Sequence, residues 1–336
     1  MELSPDFIKK NNLNHFRYLS DDFGIWQHTR GKIIDIKHGY ALDDAARGLI
    51  IALEYGMQRQ AQTFLDFIRA ATSNGRVVNF FGPDKKPLDL PWSEDALGES
   101  YWAVAYAKKR GLNIEISTRL VERLDIHANK FTSLRGRAYS LLGSILASKE
   151  TARKLAASIY DEYLLNKKPN WLWPEPNLSY GNAIIPLSLL EFSLHYPNPE
   201  IEDASKLMLN FLNRVTKVKK TPIAIGNRGW FQLGLKKAIY DQQPIDIAYQ
   251  VLANIRAYEI LNEKNYLDEA KTYFSWFWGN NVAKKPLIDI RDWSCLDGIC
   301  ENKLSRNRGA ESVICYLMAE RAMEPYLGEG GVGSRE

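Results

Sequence analysis

The chain has 336 residues, 45% hydrophobic and 12% aromatic, with 44 Lys plus Arg against 40 Asp plus Glu. That length supports one large or two ordinary domains, and a mean hydropathy of -0.33 excludes a disordered or collagen-like chain. A net charge of +4 spread over scattered basic residues is no nucleic-acid footprint, and no apolar run reaches the roughly 18–20 residues of a membrane helix.

The start, Met1-Glu2-Leu3-Ser4-Pro5-Asp6, lacks the basic and apolar segments of a secretory signal, so the chain reads as soluble and cytoplasmic. Leu42, Ala45, Ala46, Leu49, Ile50 and Leu53 recur at helical spacing and predict a helix over 41–55, stopped by Gly56. A second helix follows over 58–71, stopping at Asn74-Gly75. The same pattern predicts pairs over 99–109 and 115–129, 134–147 and 150–165, 180–195 and 201–216, and 244–261 and 266–277. Pro244 stands where a first-turn proline belongs. A last helix is predicted over 310–323, its partner either supplied by the N-terminal segment or absent. Extended character is confined to short pieces at 77–81 and 223–225.

Six hairpin-starting helices at irregular spacing allow an open solenoid or a closed double ring. Small residues in the first-of-pair helices (Ala45, Ala46, Gly48, Gly136, Ala138, Gly143, Gly181, Ala183) favour the ring, an all-α (α/α)6 toroid. One domain over 1–327 is expected, followed by a glycine-rich tail, 328–336, read as disordered.

In such a ring the loops before the inner helices converge on one mouth, and here they carry acids, rings and amides. Tyr40, Asp43 and Asp44 precede or open the first inner helix, and Trp92, Glu99 and Trp102 lie around the second. Arg137 opens the third. Trp171, Trp173, Glu175, Tyr180 and Asn182 lead into the fourth. Trp230, Asp241, Gln242 and Gln243 precede the fifth, and Asp297 and Glu311 flank the start of the sixth. Flat rings suit the apolar face of a sugar and the polar groups its hydroxyls. Glycosidic cleavage needs one protonated and one ionised carboxyl group, and clustered carboxylates push their pKa values apart. Asp44, Glu175 and Asp241 are the catalytic candidates, with an oligosaccharide or small sugar as ligand. In a six-pair ring Asp43 and Asp44 would face Glu175, and Asp241 would face Glu99.

Plainer readings stand beside these. Asp44 can cap its helix or pair with Arg47, Asp241 can serve the dipole of the Pro244 helix, and Glu311 can pair with Arg137 or Arg308. Trp276 and Trp278 read as core. Cys295, Cys300 and Cys315 fit neither a disulfide framework nor a zinc site, and His28 and His38 read as isolated, so no metal or cofactor is expected. Dinucleotide, P-loop, serine-hydrolase and zinc-protease motifs are absent from the sequence.

The segments Asp21-Asp22-Phe23-Gly24-Ile25-Trp26-Gln27-His28, Gly39-Tyr40-Ala41-Leu42-Asp43-Asp44-Ala45-Ala46-Arg47, Trp173-Pro174-Glu175, Ser179-Tyr180-Gly181-Asn182-Ala183, Asp241-Gln242-Gln243-Pro244-Ile245-Asp246 and Asn307-Arg308-Gly309-Ala310-Glu311-Ser312 occur in this order. Together they resemble a prokaryotic group in the six-hairpin glycosidase superfamily, encoded beside or fused to group 1 glycosyltransferases. The resemblance runs from about Phe16 to Met323. It implies an (α/α)6 toroid and a carbohydrate-active role, with a glycosyltransferase as a partner. Relatives commonly carry Asn where this chain has Ala45. Glycoside hydrolysis is the leading expectation. The alternatives are a non-catalytic sugar-binding partner of a glycosyltransferase and a sugar epimerase or isomerase. The epimerases of this fold rely on paired histidines, and no histidine stands at an inner-helix start here.

Overall fold

A computed structural model describes residues 12–73, 77–88 and 90–327. The Asn74-Gly75 stop, the tail 328–336 and the first eleven residues lie outside these. Twelve α-helices are described: α1 (Asn14–Leu19), α2 (Leu42–Glu54), α3 (Gln58–Ala71), α4 (Glu94–Lys109), α5 (Ile114–Ala128), α6 (Leu134–Ala147), α7 (Lys149–Asn166), α8 (Ile184–His195), α9 (Pro199–Val215), α10 (Pro244–Leu261), α11 (Lys264–Phe274) and α12 (Ala310–Met323).

The even-numbered helices α2, α4, α6, α8, α10 and α12 each pack on the next, and α12 returns to α2. The ring is therefore closed, and the solenoid is excluded. Helices α3, α5, α7, α9 and α11 each pack on the inner helix before them, while α1 packs on α12 and supplies the sixth partner. The reason lies in the side chains. Inner helices such as α8 and α12 are buried on nearly every side, whereas α3 buries one stripe of Ala61, Phe64, Leu65, Phe67, Ile68 and Ala71.

Contact between α4 and α6 depends on missing side chains. A Cβ on Gly98 would lie 2.5 Å from the Gly136 carbonyl oxygen, and one on Gly143 would lie 2.8 Å from the Tyr101 backbone. Helix α4 begins at Glu94, five residues before the sequence-based start, because the Ser93 hydroxyl accepts from the amides of Asp95 and Ala96. Helix α8 begins four residues later than expected. The Asn182 side chain folds back on Ser179, accepting from its amide (3.1 Å) and donating to its carbonyl (2.7 Å), and Gly181 has φ +56°.

Each hairpin returns the chain to its starting end, so all six inner helices open toward one mouth. Short antiparallel ribbons join the loops there: Tyr40–Ala41 with Phe80–Phe81, and Asn177–Leu178 with Phe231–Gln232. The expected extended piece at 223–225 is instead a strand at Thr221–Pro222, paired with Lys217–Val218. The three cysteines are free, and no described helix is long and apolar enough to cross a membrane.

Candidate active site at the inner-helix mouth

Asp43, Asp44 and Arg47 share one face of α2, as their three- and four-residue spacing dictates. Arg47 is 1% exposed, an expensive place for a guanidinium unless every N–H is used. Its Nη2 lies 3.2 Å from Asp43 and 3.5 Å from Asp44. Both terminal nitrogens lie 3.2 Å from Glu311 on α12, and its Nε lies 3.6 Å from Glu99 on α4. Arg47 thus ties three inner helices together at the mouth. The ion pair read for Glu311 is real, but its partner is Arg47 instead of Arg137 or Arg308.

Four carboxyl groups around one cation cannot all ionise freely. Burial, aided by the charge of Asp43, holds Asp44 well above the usual carboxylate range, against the pull of Arg47. Burial likewise pushes Glu99 up to about 8, with Arg47 opposing. Tyr249 on α10 donates to Glu99 at 3.4 Å, so the second and fifth inner helices do face one another, and Tyr139 on α6 packs 5.8 Å from the Tyr249 ring.

A second polar corner continues from there. Arg135 on α6 forms a two-pronged pair with Glu175, each oxygen at 3.0 Å, and donates to Asn182 at 3.1 Å and to the Tyr180 carbonyl. Its guanidinium lies 4.9 Å from the centre of the Tyr180 ring. Asp246, in the first turn of α10, takes a 3.4 Å bond from the Asn182 amide, while its other oxygen is buried without a partner. Burial raises Asp246 to about 7, Arg135 opposing.

The rim is aromatic and acidic. Tyr180, 41% exposed, donates to Asp95 at 2.6 Å and lies 6.3 Å from Trp230. Gln243, at the cap of α10, is partly exposed, and Asp297 accepts from the Gly309 amide (2.6 Å) and the Ser312 hydroxyl (2.9 Å) at the start of α12. His28 and His38 are not isolated, since their rings meet edge to face at 4.6 Å beside Gly309. Among the described residues no group of three His, Cys, Asp or Glu could hold a metal ion.

Several expected ligand contacts lie elsewhere. Trp173 is wholly buried and Trp171 nearly so, the latter packed edge-on against Phe211 and Phe231. Tyr40 is core, its ring tilted against Trp26 at 4.2 Å and its hydroxyl donating to Asp21. Gln242 is fully buried, bridging the Ala224 amide and the Trp276 indole, which is core as expected. Arg137 points outward to Ser158 and Glu162 on α7. Asp241 pairs with Arg228 at 3.1 Å, and Trp92 is 49% exposed in the loop before α4. Accordingly, Trp173→Ala should cost about 3–5 kcal/mol of stability, as for other buried rings. Trp230→Ala should leave the melting temperature nearly unchanged while weakening sugar binding. Denaturant titration and a sugar titration separate the two.

Trp102 belongs to a different feature. A cavity of ≈ 510 Å³ opens at the opposite end of the ring, lined by Trp102, Ile50, Leu142, Leu187, Ile255 and Met318 among others. Its walls are largely apolar, and several charges at its edge are paired, Glu54 with Arg110 and Arg321, and Glu191 with Arg256. Bulk alone does not make that end reactive; the four carboxyl groups gathered around one buried guanidinium lie at the other.

The closed ring with its mouth at the inner-helix starts is an (α/α)6 toroid. No family model matches the chain, and neither does any curated protein. Solved structures do match in shape. D-mannose isomerase aligns with 96% of this chain and 98% of its own at TM-score 0.72 and 12% identity. Cellobiose 2-epimerase from Bacillus thermoamylovorans B4167 aligns over 94% and 96% at TM-score 0.73 and 11% identity. A glycosidase in complex with glucose aligns over 96% and 99% at TM-score 0.62 and 13% identity. Identities this low establish the architecture, not the chemistry.

Proposed function

We propose that the chain is a carbohydrate-active enzyme cleaving a glycosidic bond at the Arg47 mouth. The observation that carries this reading is the division among the carboxyl groups around Arg47. Burial pushes Glu99 up to about 8 and holds Asp44 well above the usual carboxylate range, while Asp43 and Glu311, each with 35% of its side chain exposed, pair with the guanidinium. One set can donate a proton to a leaving oxygen and the other can activate water. Tyr180 and Trp230 offer the ring surfaces, and Glu175 and Asp241 remain candidates held by Arg135 and Arg228.

Turnover on a panel of disaccharides tests the reading. Asp44→Asn should lower kcat by about 10²- to 10⁴-fold. If Asp44→Asn, Glu175→Gln and Asp241→Asn all leave turnover unchanged, the reading fails.

A second reading is a sugar 2-epimerase or isomerase. The shape neighbours of that kind support it, as does the His28–His38 pair beside α12. Deuterium entering C2 of a reducing sugar from heavy water, without release of monosaccharide, would favour it. Sugar binding with no product at all would favour a binding partner of a glycosyltransferase instead.

A further inference from the structure

We infer that the Arg47 mouth takes uncharged or amine-bearing sugars and rejects sugar acids and phosphorylated sugars. This rests on the carbohydrate reading above and adds the charge class of the substrate. Recognition of a carboxylate or phosphate needs a guanidinium, an ammonium or a helix N-terminus with donors to spare.

The guanidiniums at the floor have none. Arg47 is engaged by Asp43, Asp44, Glu99 and Glu311, and Arg135 by Glu175, Asn182 and the Tyr180 carbonyl. At the rim, Lys32 is bound by Asp289 and Asp292, and Arg228 by Asp241. Four of the six inner-helix N-termini already carry acids. Asp43 and Asp44 occupy the first turn of α2, Glu94 and Asp95 that of α4, Asp246 that of α10 and Glu311 that of α12. At α6 the Gly136 amide donates to the Ser133 hydroxyl, and before α12 the Gly309 amide donates to Asp297. An entering anion would therefore meet guanidiniums already paired at the floor and would face the partly exposed carboxylates of Asp43, Glu311 and Glu175. An ammonium group would be drawn to the same oxygens.

Saturation-transfer NMR with glucose and mannose, each as the methyl glycoside, the 2-amino-2-deoxy sugar, the uronate and the 6-phosphate, tests this at low salt. The neutral and amino forms should bind, and the uronates and 6-phosphates should bind about tenfold more weakly or worse. The gap should narrow as salt rises. Asp43→Asn should narrow it as well, and Glu175→Gln, which removes the charge partner of Arg135, should favour the uronate. Uronate or phosphate binding equal to or tighter than that of the neutral sugar overturns the charge selectivity and leaves the carbohydrate reading standing. Binding of no derivative at all overturns both.

Discussion

Arg47→Met is expected to lower stability by about 3–5 kcal/mol, the usual cost of removing one partner from a buried ion pair. For a chain of this size that is a fall of roughly 6–10 °C in melting temperature. The cause is specific: Arg47 is the cation that meets Asp44 and Glu99, which are only 5% and 3% exposed. Because the guanidinium favours their ionised forms, the loss should be larger at pH 8 than at pH 5, where Glu99 is protonated. Arg47→Lys should recover only part of it, since one ammonium cannot reach α2, α4 and α12 together. Melting curves at the two pH values check this, and an unchanged midpoint would mean that the four contacts contribute little.

Glu99→Gln should do the reverse, keeping the fold and removing activity. With its pKa near 8 the Glu99 side chain is neutral at pH 7, and the amide copies its shape and charge. The sign follows from linkage. The folded chain holds a proton that the unfolded chain has released above about 4.5, so wild-type stability falls as pH rises from there to about 8. The glutamine variant lacks that slope and should equal or exceed wild type at pH 8. Turnover should drop by about 10²- to 10⁴-fold, the range of a lost general acid. Retained turnover would remove Glu99 from the chemistry, and unfolding at neutral pH would make it structural.

Much of the architecture was legible because inner and outer helices follow a 3.6-residue period, and Pro244 and Gly56 mark boundaries that the structure keeps. The ends that moved did so through side-chain capping, which periodicity does not see: Ser93 lengthens α4, and Asn182 delays α8. Asp43, Asp44 and Arg47 were visible as neighbours on one helix. That Arg47 also grips Glu311, 264 residues away, depends on ring closure and has no local signature. Tyr249 sits in the middle of a buried helix and reads as core from sequence, yet its hydroxyl reaches Glu99. Trp171 and Trp173 misled for the opposite reason: prolines and turn formers around them suggest an exposed loop, while both rings are buried.

Where a sugar sits decides the account. A crystal soaked with mixed neutral oligosaccharides should show a ring against Trp230 and Tyr180, its hydroxyls within hydrogen-bonding distance of Asp43 or Glu311. A sugar found only in the apolar cavity beside Trp102, at the far end of the toroid, would contradict the placement of the active site at the Arg47 mouth.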